Sequence, residues 1–116
     1  MSLTTAERIS RWEGKNLLLW EDQNNPYESI YIRACVEQGR LSLTDSQCDH
    51  APDGGWSHIV LEFDEENSGR VIEFLSEDGK EPFAVLKGML DSQNRSGRFV
   101  EECQVRNIAF KKKFCL

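Results

Sequence analysis

Cys48, Asp49 and His50 set a thiol, a carboxylate and an imidazole within three consecutive residues, and His58 follows eight positions after His50. A thiol beside an imidazole becomes nucleophilic once the imidazolium draws down its pKa, and these side chains are also the donor types that zinc takes. Neither chemistry has its full pattern here. Side chains two apart in a loop have no enforced geometry, and no oxyanion-stabilising motif accompanies them. Cys-x-His followed by one more His matches no finger, ribbon or knuckle spacing. The four cysteines, Cys35, Cys48, Cys103 and Cys115, stand 13, 55 and 12 positions apart, which fits no zinc or redox template. They read as free thiols of a reducing compartment, and Cys35, inside an apolar segment, is expected to pack as a small hydrophobe. Gly54-Gly55 lacks the Lys and Ser/Thr of a phosphate loop, no GxGxxG occurs, and no alternating Asp/Asn run marks a calcium loop. The expectation is a chain with no catalytic residue, no resident metal and no cofactor. The alternative is a small enzyme or a ligand or metal binder built on Cys48, His50 and His58.

Charge is more informative. The 116 residues carry 14 Lys plus Arg against 20 Asp plus Glu, a net −6. Between 62 and 81 lie Glu62, Asp64, Glu65, Glu66, Glu73, Glu77, Asp78 and Glu81 against only Arg70 and Lys80, so this window alone carries −6. The rest of the chain is neutral. Such a window repels polyanions and disfavours nucleic acid as a partner. The one basic cluster, Lys111-Lys112-Lys113, reads as a solvated or edge-protecting run. Of the three tryptophans, Trp12, Trp20 and Trp56, the last follows the flexible Asp53-Gly54-Gly55 and is the one expected to be partly exposed.

The elements that position these groups follow from periodicity. Residues 4–13 read as a short helix capped by Thr4 or Thr5, and Leu17 to Trp20 as a buried strand. From Glu28 to Glu37, Ile30, Ile32, Ala34 and Val36 alternate with polar neighbours. Gln38-Gly39 then turns the chain into Arg40–Thr44, a hairpin. Asp45 to Gly55 is expected to be a loop, and Trp56 to Phe63 a strand with His58 and Val60 on one side. For residues 65–77 a hairpin is possible. A helix capped by Asp64, with Val71, Ile72, Phe74 and Leu75 as its stripe, fits the 3.6-residue period better. Pro82 opens a further helix, and Arg98 to Phe110 reads as a final strand. The fold class expected is α+β: an antiparallel sheet of about five strands, an N-terminal helix, and one or two further helices packed on one face, in a single domain over 1–116.

Function follows from exclusion plus charge. The longest apolar run, Leu17 to Trp20, is four residues where a membrane helix needs about 20. The polar stretch Met1 to Trp12 is no secretory signal, so the cytoplasm is the expected compartment. What remains is a small acidic protein-binding module, an inhibitor or immunity-type protein that neutralises a basic, nuclease-like toxin or enzyme. Its expected partner-binding residues are Trp56, Glu62, Asp64, Glu65, Glu66, Glu73, Glu77 and Asp78. The carboxylates would occupy the partner's phosphate site, and Trp56 would anchor the rim.

Overall fold

The computed structural model describes residues 4–115, the side chain of Thr5 excepted. Its elements run α1 (Thr5–Ser10), β1 (Asn16–Asp22), β2 (Glu28–Glu37), β3 (Arg40–Asp49), β4 (Trp56–Glu62), α2 (Glu65–Leu75), α3 (Pro82–Gly88), α4 (Gly97–Val105) and β5 (Lys111–Cys115). A 3-10 turn over Glu77–Gly79 separates α2 from α3. The strands form one antiparallel sheet in the order β1-β2-β3-β4-β5. Four of them meander; the chain then crosses one face as helices and returns to lay β5 against β4. This is the expected α+β class.

Alternation along β2 sets the two faces. Ile30, Ile32, Ala34 and Val36 point inward, and their register partners Leu41 and Leu43 on β3, then Leu61 on β4, continue the same buried layer. Val71, Ile72 and Leu75 of α2, Phe83 and Leu86 of α3, and Phe99 and Cys103 of α4 close over it as one hydrophobic cluster. In β1 the four apolar residues in a row are accommodated by a register shift between Leu18 and Trp20. Leu17 and Trp20 both lie opposite inward residues, Ala34 and Ile32, although they are three apart. One extra residue in a strand allows that.

Turn and cap chemistry agrees with the sequence at most joints. Gln38 and Gly39 both adopt positive φ, 54° and 72°, the two-residue turn whose twist suits a hairpin. Asp64 caps α2 by accepting the Asn67 N–H at 2.8 Å, and these bonds hold its carboxyl below the usual range. Pro82 opens α3, capped by Glu81. Two side chains of α2 reach the far end of the chain through three hydrogen bonds. Arg70 donates to the carbonyls of Arg106 and Asn107 at 2.6 and 2.9 Å, and Asn67 Oδ1 accepts the Ala109 N–H at 3.1 Å.

Three expectations are corrected. Asp45 to Asp49 is not loop but the second half of β3, paired in register with β2 throughout and with β4 as far as Cys48, which leaves only residues 50–55 as the connection. These polar residues suit a strand because the outer face of the sheet is solvated and the inner Asp45 has an ion-pair partner, Arg95. Arg98 to Phe110 is not a strand. It forms most of α4, with Phe99 and Cys103 one helical turn apart on the core side, and the fifth strand begins only at Lys111. Cys35 also differs: it is half-buried on the outer face, and the buried thiol is Cys103, whose pKa burial pushes up to about 12.

Ser68 joins helix to sheet. Fully buried on α2, its hydroxyl accepts the Leu41 N–H at 2.7 Å and donates to the Phe63 carbonyl at 3.3 Å. Ser68→Ala leaves that N–H buried without a partner, so a loss of about 1–3 kcal/mol is expected. Urea unfolding should show a lower midpoint at unchanged slope. An unchanged midpoint would mean that water replaces the hydroxyl.

Candidate functional site

Fold geometry divides the acidic window into groups with different employment. Glu62, at the end of β4 on the outer face, pairs with Lys113 of β5 at 3.2 Å. Asp64 is taken up by its cap. Glu81 accepts the N–H groups of Phe83 and Ala84 at 3.1 and 2.7 Å and so caps α3. Glu77 and Asp78 stand exposed in the turn beyond α2, where Asp78 adopts a left-handed φ of 61°.

Glu65, Glu66 and Glu73 remain. They project from α2 into a groove of 560 Å³ shared with α1, floored by Ala6, Ile9 and Gly69 and also lined by Glu13 and Arg70. Glu13 and Arg70 belong to this surface, although nothing in the sequence links them to it. Glu13 uses its carboxylate to accept the Gln38 and Gly39 N–H groups at 2.6 and 2.8 Å, which pins the hairpin turn to the rim. Arg70 spends its guanidinium on the carbonyls of Arg106 and Asn107, just past the end of α4. Among the described residues, no ion pair engages Glu65, Glu66 or Glu73.

Trp56 lies elsewhere. It begins β4, at the opposite end of that strand from Glu62, and faces the side of the sheet that the helices leave uncovered. The residue is 49% exposed. The structure therefore sets the exposed tryptophan and the acidic groove on opposite layers of the fold, and the two do not form one continuous contact surface.

The Cys48–His58 region comes together on the tryptophan's side. Cys48 pairs in register with Trp56, and Ser46 with His58. His50 does not bond to Cys48. Its Nδ1 lies 3.1 Å from the Pro26 carbonyl, which only accepts, so that nitrogen carries the proton, and Nε2 accepts from the Ser29 hydroxyl at 2.8 Å. A hydroxyl, an imidazole and an orienting carbonyl in line form a nucleophile–base arrangement. However, Ser29 is buried, so the pair acts as a clasp between the start of β2 and the connection that follows β3. His58 likewise bonds through Nδ1 to Ser46 Oγ at 2.7 Å. Among the described residues no three His, Cys, Asp or Glu side chains are grouped to hold a metal, and no helix is long and apolar enough to cross a membrane.

Compared with protein-family models, with curated proteins and with solved structures, the chain matches none.

Proposed function

We propose that the chain is a protein-binding module whose acidic α1–α2 groove docks on a basic partner, as an inhibitor or immunity-type protein neutralising a nuclease-like toxin or enzyme. One observation carries the reading: Glu65, Glu66 and Glu73 crowd a single groove with no ion pair among the described residues. Carboxylates already paired gain little from a partner's Lys or Arg, whereas unpaired ones steer encounter and are discharged only in the complex. Glu77 and Asp78 extend the negative surface past the end of α2. An enzyme that binds nucleic acid presents cations where phosphates sit, and three carboxylates on one helix face supply the matching charge. The four free thiols suit a reducing compartment, and we place the module in the cytoplasm.

The test is capture on the intact chain at low ionic strength, followed by titration of each recovered basic nuclease or enzyme. Glu65→Lys, Glu66→Lys and Glu73→Lys together are expected to weaken the complex by at least about 100-fold. Far-UV circular dichroism should stay unchanged, because all three side chains are exposed. Wild-type affinity should fall steeply with added salt. A complex that survives the triple reversal at full affinity removes the groove as the docking surface.

A further inference from the structure

The uncovered face of the sheet has a composition unlike the rest of the molecule. Strand register brings Tyr31 and Arg33 of β2, Ser46 of β3, and Trp56 and His58 of β4 around one shallow depression of 410 Å³. The Trp56 indole and the His58 imidazole are parallel within 7°, centroids 6.0 Å apart, and the Tyr31 ring lies 5.8 Å from the indole. Ser46, itself buried, holds His58 through Nδ1, so the aromatic row is set before anything binds to it.

Arg33 supplies the second observation. It is the next residue on this face of β2 after Tyr31, about 7 Å along the strand. Arg95, Arg98 and Arg106 each have a carboxylate partner; among the described residues Arg33 has none. The face as a whole carries Arg33, Arg40, Lys111 and Lys113 against Glu21, Glu37 and Glu62. It is therefore slightly positive on a chain of net −6, and an anion is repelled least from this side.

We propose that this depression binds a small planar aromatic ring bearing one anionic group, a carboxylate or a phosphate. The ring stacks on Trp56 beside Tyr31, and the anion pairs with the Arg33 guanidinium, which offers two parallel donors to either oxyanion. Ser46 keeps the His58 ring fixed as the far wall. The ligand differs in size and sign from the basic protein expected at the helical groove, so the two surfaces act independently.

The experiment titrates the intact chain with indole-3-acetate and with adenosine monophosphate, each against its uncharged counterpart, indole and adenosine. The Trp56 indole N–H and the His58 ring are followed by NMR. The expected result is saturable movement of both signals, with at least one anion bound about tenfold or more tightly than its neutral counterpart. Which of the two anions binds identifies carboxylate or phosphate as the preferred group. Arg33→Gln should abolish the difference between anion and neutral ring, and Trp56→Ala should remove binding of both. Both side chains are exposed, so neither change threatens the fold. Failure of all four probes to move the signals saturably overturns the proposal, as does an anion preference unchanged in Arg33→Gln. Probe-free, concentration-dependent movement of the Trp56 signal would place a second copy on this face and would also overturn it.

Discussion

Arg95→Ala is expected to destabilise the protein by about 3 kcal/mol, the lower part of the range for breaking a buried ion pair, because the arginine retains some exposure to solvent. Asp45 is 5% exposed on the inner face of β3, opposite Ile32, and its carboxylate pairs with Arg95 Nη2. Nη1 of the same arginine donates to Gln47 Oε1 at 3.0 Å, and the Gln47 amide donates to Glu28 Oε2 at 2.5 Å. Removing the guanidinium strands a carboxylate against apolar neighbours and unties both side chains behind it. The pair is strongly needed but weakly stabilising, since two charges have been taken out of water to make it. Asp45→Leu combined with Arg95→Met is therefore expected to recover most of the loss. Denaturant midpoints of the two single variants and the double one check this. A loss of under about 1 kcal/mol in Arg95→Ala would show that solvent already screens the pair.

Phe99→Ala is expected to cost about 3–5 kcal/mol, the range for emptying a fully buried aromatic site. The ring has no solvent exposure. It meets Phe63 edge-on at 5.9 Å and lies nearly parallel to Phe74 at 6.3 Å, so it joins α4, the end of β4 and α2. Because three elements converge there, the cavity cannot close by moving one of them. Thermal unfolding of Phe99→Ala beside Phe99→Leu tests this. The leucine variant should lose much less, and equal losses would mean that ring stacking rather than filled volume carries the effect.

The parts of the fold that were legible are those where local pattern and tertiary role coincide. Ile30, Ile32, Ala34 and Val36 alternate because one face of β2 is buried, and Gln38-Gly39 has the residues its turn needs. Asp64 and Pro82 announce their helices through capping chemistry that is local by nature. The second half of β3 was hidden because Asp45 and Gln47 face inward only by virtue of Arg95, fifty and forty-eight residues away. In α4, Phe99 and Cys103 keep helical spacing. However, Val100 and Val105 on the flanks blur the period, and so it reads as a strand.

At the candidate site the excess of carboxylates could be counted from the sequence, but their employment could not. The neutralisation of Glu62 by Lys113 depends on β5 lying beside β4, and the placing of Glu13 at the groove depends on α1 packing on α2. The depression around Trp56 needed the register of three strands at once. Parity along β2 puts Tyr31 and Arg33 on one side, but only pairing through Ser46 brings them to His58.

The three bonds that α2 makes toward the end of the chain have a kinetic consequence. Asn67 and Arg70 grip residues 106–109, the segment that delivers the last strand to its edge. That strand joins the sheet only through contacts far apart in sequence, whereas the first four strands zip together through neighbouring hairpins. Loop-closure entropy makes such a late return the slow and reversible part of assembly. Local opening at this edge can release the final strand while the other four stay folded, so its amides belong to the least protected cooperative unit of the sheet.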